Sequence, residues 1–300
     1  MSHVHWLALT YIPSVGGATV RRLLERFGSV EAVFAADPAE LASVPRLSER
    51  AIAALQAISF ETIEAELATL AETGLILLTW DAPAYPGSLH DLSDPPPVLF
   101  VRGALLPEDE RAVAIVGSRR ASDYGLAIAR RLGQALAAQG LTVISGLALG
   151  IDTAAHEGAL EASRGRTLAV LGSGLRVIHP RENRVLAERI VARGALLSEL
   201  RPEAPPRGSY LMARDRIIAA LSRAVVVVEA EEGSGSLDTA RRAQRLGRPV
   251  LACPGSHGTE ALLQAGAECL ILETADLNAL AERLQHPPEP PPAARQRRLF

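Results

Sequence analysis

The sequence predicts an α/β protein, a doubly wound and mostly parallel sheet preceded by a small all-helical domain. From Ala112 onward, continuous β-branched runs alternate with amphipathic helical stretches. Unbroken apolar runs mark strands covered on both faces, and strand-helix alternation means parallel crossovers. Between Ile12 and Leu55, by contrast, apolar residues recur only at helical spacing.

In the helical part, Val20, Leu23, Leu24 and Phe27 define one face, Gly28 sits where the helix should stop, and Asp37-Pro38 opens the next helix. The Val15-Gly16 turn is similar to helix-hairpin-helix modules, whose glycine turn lets backbone amides approach a phosphate. A lone turn of this kind is a weak signal, so these helices are read as a SAM-like packing bundle. A further helix over 60–73 leads to short strands at 76–79 and 98–101 around a proline-rich crossing, where Asp94 to Pro97 cannot be helix interior. Strands then follow at 112–116, 141–145, 167–171, 195–198, 224–230, 249–253 and 269–272, with helices over 125–139, 152–163, 182–193 and 237–246. The expected domains are 1–73 helical, 74–285 the sheet domain, and 286–300 a Pro/Arg-rich tail or linker.

With 300 residues and 48% hydrophobic content, the chain can fill a core without staples. Cys253 and Cys269 have no His or second Cys at ligand spacing, so neither a disulfide framework nor a zinc site is expected. The start lacks a basic signal-peptide region, and no apolar run approaches the ~20 residues that span a bilayer. A cytoplasmic protein with no membrane partner is expected. All 31 basic residues are arginine, and lysine is absent. That excludes the usual Walker phosphate loop, Schiff-base and pyridoxal chemistry, each of which needs a lysine amine. Arginine still serves phosphate, because its planar fork donates two parallel hydrogen bonds and never deprotonates. A net charge of −3 confines any nucleic-acid affinity to a local patch.

Ligands of open parallel sheets bind beyond the carboxyl ends of the strands. Four Gly/Ser-rich loops fall there: Gly117-Ser118-Arg119-Arg120, Ser145-Gly146, Gly172-Ser173-Gly174 and Gly233-Ser234-Gly235-Ser236. Together they suggest a shelf of backbone donors for phosphate. The first loop breaks the dinucleotide G-x-G-x-x-G pattern by placing an arginine where the pyrophosphate would need backbone contact, so a guanidinium-phosphate contact by Arg119 is expected, with Arg120 beside it. Asp152 and His156 could form an acid-base pair, but no nucleophile stands beside them; Asp152 is read as a helix cap and His156 as structural. Arg181 opens the helix after His179-Pro180, where a basic side chain opposes the dipole unless an anion rewards it. Arg214 and Arg216 bracket Asp215, and two readings stand side by side: phosphate contacts, or a salt-bridged helix start. No cofactor or metal is expected.

In order, VAIVGSRRASDYG, SGLALGIDTAAHEGAL, LAVLGSGLRVIHPREN, LLSELRPEAPP, RDRIIAALSRAVVVVEAEEGSGSLDTARRA and ACPG resemble the successive blocks of the DNA processing protein A (DprA/Smf) family. The resemblance implies an extended Rossmann-like domain that dimerises, binds single-stranded DNA without enzymatic turnover, and helps load the RecA recombinase in natural transformation. It also implies phosphate contacts at Gly117, Ser118, Arg119 and Arg181, and at Arg214, Arg216 and the 233–236 turn. The chain departs from the family pattern at Ala121, Leu149, His179 and Asp215; Leu149 stands where the family often has a basic residue and Asp215 where it has an asparagine, and both changes weaken positive potential. Only 4% of residues are aromatic, so phosphate contacts should dominate, with Tyr124 and Tyr210 as the candidate stacking platforms. A rival reading is enzymatic: EEGSGSLDTA resembles the P-G-G-x-G-T-x-x-E loop of nucleoside-monophosphate phosphoribohydrolases, although Thr239 and Ala240 stand near the position of the required glutamate.

Overall fold

The computed structural model describes residues 2–285; the expected tail at 286–300 lies outside them. The described residues form two compact units divided at Arg102 and Gly103, with 199–201 belonging to the first.

In the first unit, six helices precede two strands: α1 (Ser2–Leu9), α2 (Gly17–Phe27), α3 (Val30–Ala35), α4 (Pro38–Ala42), α5 (Glu49–Gln56) and α6 (Phe60–Glu72). Trp6, Leu7, Leu23, Leu41, Ile63 and Leu70 fill their common core. The punctuation read from sequence is present. Gly28 ends α2 with φ +83°, and Asp37 starts α4 with a full capping box in which its carboxylate accepts from the Glu40 amide at 2.8 Å. Helix α1 was not anticipated. Strand β1 (Leu75–Thr79) pairs antiparallel with β2 (Val98–Gly103). The proline-rich crossing between them is pinned by the Tyr85 hydroxyl, which donates to the Pro96 carbonyl at 2.7 Å.

The second unit is the doubly wound sheet. Its strands are β3 (Ala112–Val116), β4 (Thr142–Ser145), β5 (Arg166–Val170), β6 (Ala195–Ser198), β7 (Ala224–Val227), β8 (Val250–Ala252) and β9 (Glu268–Cys269). They lie in the order β6-β5-β4-β3-β7-β8-β9, with parallel pairing throughout this stretch. Every residue of β3, β4, β6, β7 and β8 is buried, as the unbroken apolar runs require. One core layer joins β3, β4 and β7 to α7 (Asp123–Ala138), α8 (Ile151–Glu161) and α14 (Leu277–Gln285), through Ile128, Leu132, Ile151, Ala155 and Leu280 among others. The remaining helices are α9 (Arg184–Arg193), α10 (Gly208–Ala213), α11 (Asp215–Leu221), α12 (Gly235–Arg245) and α13 (His257–Gln264).

The expected strand at 269–272 is shorter than its apolar pattern. The ladder covers Glu268–Cys269, and the Leu270 amide adds one more bond to the Ala252 carbonyl. Its partner β8 stops at Ala252, two residues before Pro254, so nothing remains for residues 271–272 to pair with.

Candidate nucleic-acid interface

The strand order reverses between β3 and β7, so the chain leaves these adjacent strands in opposite directions and a crevice opens beyond their carboxyl ends. The loop carrying Arg119 leaves β3 at that point. Two hydrogen bonds seat it: the Ser118 amide donates to the Glu229 carbonyl at 2.7 Å, and the Ser118 carbonyl accepts from the Ile151 amide at 3.1 Å. The Glu229 carboxylate then accepts from the Ser122 hydroxyl at 2.9 Å and from its amide, while the Ser122 oxygen caps α7 by accepting from the Gly125 amide at 3.0 Å. Gly117 is required here, since a Cβ would meet the Ile151 side chain at 2.6 Å and the Glu229 carbonyl at 2.7 Å. Arg119 and Arg120 emerge from this braced turn into solvent, and their guanidinium groups meet no carboxylate among the described residues.

Arg181 reaches the same rim by a different route. The His179–Pro180 peptide is cis, and a single 3-10 turn, Arg181–Asn183, precedes α9. Asn183 is buried, and its amide nitrogen donates to the Leu147 carbonyl at 2.9 Å and the Thr153 hydroxyl at 2.8 Å. Gly150 in turn packs on the Ser118 and Arg119 backbone, where a Cβ would come within 2.3 Å of the Ser118 oxygen; with φ +79° it also occupies a conformation suited to glycine. The turns of Arg119 and Arg181 are thus tied to one another through the 146–153 segment, beyond the carboxyl ends of β3, β4 and β5.

The other loop residues sit lower. Ser145 is fully buried and donates to the Ile115 carbonyl at 2.6 Å. Gly146, Gly172 and Gly174 are buried too: the Cβ positions of Gly146 and Gly172 are filled by the Arg214 guanidinium and the Leu211 backbone, and the Gly174 amide donates to the Ala204 carbonyl at 2.9 Å. The shelf of open backbone donors is therefore narrower than the sequence suggests, because these glycines make room for protein rather than ligand. Gly233 and Gly235 are exposed, Gly233 with φ +75°, while Ser236 is buried and its hydroxyl lies 2.9 Å from that of Ser234. Two exposed carboxylates, Glu231 and Glu232, precede this turn and oppose an anion there.

Arg214 and Arg216 are each only 6% exposed. Arg214 donates to the carbonyls of Gly146 and, at 2.7 Å, Val170, and pairs with Asp215 at 3.1 Å and Asp152 at 4.0 Å. Of the two readings of this block, burial favours the salt-bridged helix start. Asp152 is not the cap of α8, which is Gly150; it folds back instead and accepts from the Gly146 and Ala148 amides at 3.0 and 3.2 Å. Burial raises the Asp152 carboxyl above its ordinary range against the pull of Arg214, and pushes Asp215 up to about 7 in the same way. His156 is fully buried with Nδ1 2.7 Å from the Thr167 hydroxyl, and burial, helped by Arg214, lowers it to about 3. Neither Asp152 nor His156 can exchange a proton with a ligand outside.

Sequence reasoning missed Glu229, Asn183 and Gly150. Glu229 is legible only as a carboxylate ending an apolar run, and Asn183 only as a polar residue inside the HPREN block. Among the described residues no group of His, Cys, Asp or Glu side chains is placed to hold a metal, and no helix is long and apolar enough to cross a membrane.

Residues 76–284 match the family model described as DNA recombination-mediator protein A, and residues 7–58 match a SAM-like helix-hairpin-helix tandem. The Smf protein of Synechocystis is 38% identical over 92% of this chain and 72% of its own length. The DNA processing protein DprA of Bacillus subtilis is 38% identical over 68% of this chain and 71% of its own. Among solved structures, DprA of Streptococcus pneumoniae superposes with a TM-score of 0.78 at 31% identity, covering 94% of this chain and 98% of that one. The DNA processing protein A of Helicobacter pylori, solved for its single-stranded DNA binding mode, gives 0.62 at 31% identity over 69% of this chain and 96% of that one. A doubly wound sheet with its switch point at the Arg119 loop, this match over most of the chain and these relatives together place the protein in the DNA recombination-mediator protein A family, the DprA/Smf proteins.

Proposed function

We propose that this protein holds the backbone of single-stranded DNA along the switch-point rim, breaks no bond in it, and as a cytoplasmic homodimer protects the strand and helps load the RecA recombinase onto it. The carrying observation is the set of three exposed arginines, Arg119, Arg120 and Arg181, which meet no carboxylate among the described residues and stand on turns joined through the 146–153 segment. Unpaired guanidinium groups on braced turns can form charge-assisted bonds to phosphate without first giving up a protein partner. The single-stranded DNA binding of the Helicobacter pylori relative supports the choice of ligand. Gly117 and Ser118 shape the Arg119 turn and the Gly233–Ser236 turn offers two exposed glycines beside Glu231 and Glu232, whereas the buried Arg214, Arg216, Ser145, Gly146, Gly172 and Gly174 serve as scaffold. The burial of Asp152 and His156 supports a binding rather than a catalytic role.

Fluorescence anisotropy with labelled oligonucleotides at several salt concentrations tests this. Each phosphate contact contributes roughly 0.7 to the slope of log affinity against log salt for single strands. Arg119→Ala should weaken binding and flatten the slope by about that amount. Unchanged affinity in the folded variant would remove Arg119 from the interface. RecA loading is tested by RecA ATP hydrolysis on strands coated with a single-strand-binding competitor, with and without this protein; no acceleration refutes that part.

A further inference from the structure

Beside the Arg119 loop lies an open depression of about 550 Å³ between the β3–α7 turn, α7 and α8. That volume is in the range of roughly 300–1,000 Å³ that accommodates small organic ligands. Leu126, Leu149 and Ala154 give it apolar walls, and Arg119, Arg120 and Arg130 stand around it. Leu149 is 41% exposed, a large apolar side chain offered to solvent beside a charged edge.

Arg130 differs from the other two. It pairs with Glu157 at 3.5 Å and, in closer contact, with Glu161, both on α8. One positive charge facing two carboxylates offers little to a phosphate. Ion pairs to a guanidinium lie in its plane, however, and leave its two faces available for stacking. The α7–α8 frame that holds these partners is tight. A Cβ on Gly158 would meet the Arg130 carbonyl oxygen at 1.9 Å, and one on Gly133 would meet the Ala155 carbonyl oxygen at 2.4 Å, so the helices touch backbone to backbone at this crossing. Arg130 therefore stands as a planar group fixed by two carboxylates on a close-packed helix pair. It lies beside a depression that its partner Glu157 also lines, while the other two arginines there, Arg119 and Arg120, meet no carboxylate among the described residues.

The geometry points to a nucleobase subsite in this depression: one unstacked base of the strand enters it, rests on the Arg130 guanidinium plane and the Leu126 and Leu149 side chains, and is anchored by its own phosphate at Arg119. Arginine planes accept bases as aromatic rings do, and the contact tolerates any base because every base has a π-face. With 4% aromatic residues in the chain, a guanidinium platform supplies what rings elsewhere provide. The subsite rests on the strand-binding reading above, and its loss should be separable from that reading.

The test compares a thymidine oligonucleotide with an abasic oligonucleotide of equal length and charge, using wild type, Arg130→Ala, Arg130→Lys and Arg119→Ala, each confirmed folded by circular dichroism. Wild type should prefer the base-bearing strand. Arg130→Ala should lose roughly 5- to 10-fold in affinity for that strand while leaving abasic affinity and salt slope unchanged. Arg130→Lys keeps the charge but not the plane, and should lose about as much. Arg119→Ala should weaken both strands and flatten the slope. Unchanged thymidine affinity in Arg130→Ala, an equal loss on both strands, or full rescue by lysine overturns the base subsite while leaving the strand-binding reading intact. Failure of the wild type to bind either strand overturns both.

Discussion

Replacing Arg214 with methionine removes one buried charge and keeps most of the side-chain length, which isolates what the guanidinium does. It leaves Asp215, 3.1 Å away, and Asp152, 4.0 Å away, without their shared cation, and strips a donor from the carbonyls of Gly146 and Val170. Removing one partner of a buried ion pair costs about 3–5 kcal/mol, because the remaining charge stays desolvated. Two buried carboxylates lose their cation and two carbonyls lose a donor here, so a loss toward the upper end, about 5 kcal/mol at pH 8, is expected. The cost should shrink as pH falls. Without Arg214 both carboxyls shift further upward, so they take up protons on acidification and the uncompensated charge disappears. Urea denaturation of wild type and Arg214→Met at pH 8 and pH 6 measures this directly. A loss below about 1 kcal/mol at pH 8 would refute the reasoning, since it falls within the range of an exposed ion pair. A loss that does not diminish at pH 6 would refute it equally.

Asp215, pushed up to about 7 by burial, binds its proton more tightly in the folded than in the unfolded chain. Its favourable contribution is present in full below the unfolded value near 3.8 and is lost as pH rises through about 7. Asp215→Asn should therefore flatten the fall in stability between pH 5 and pH 8 relative to wild type, as followed by thermal melts; an identical pH profile would contradict the burial argument. Asn183→Ala unties the Arg181 turn from Leu147 and Thr153. It should weaken strand binding several-fold with little change in salt slope, because a positioning bond and not a phosphate contact is lost; a slope change as large as that of Arg119→Ala would count against this.

Much of the fold was legible because its signals are local. The β3 run AVAIV and the β6 run ALLS fall at the expected residues, and Gly28 and Asp37 end and start helices as read. The candidate interface was legible only in its exposed part. Arg119 and Arg181 follow strand ends, and strand ends are visible in sequence. What failed was non-local. An Asp near a helix start can cap that helix or turn back to the preceding loop, and the choice at Asp152 depends on Arg214, which lies 62 positions away. Likewise a glycine after a strand can cradle a ligand or admit a side chain. At Gly146 the occupant is again Arg214, 68 positions on. The end of β9 was lost for the same reason, since the length of an edge strand is set by its neighbour β8.

The bond from the Ser118 amide to the Glu229 carbonyl bears on how the protein comes into being during synthesis. More than a third of the chain separates the two residues. Until residue 229 has left the ribosome, the turn that carries Arg119 lacks one of its two anchors. The Arg119 turn therefore reaches its final geometry late, together with closure of the sheet.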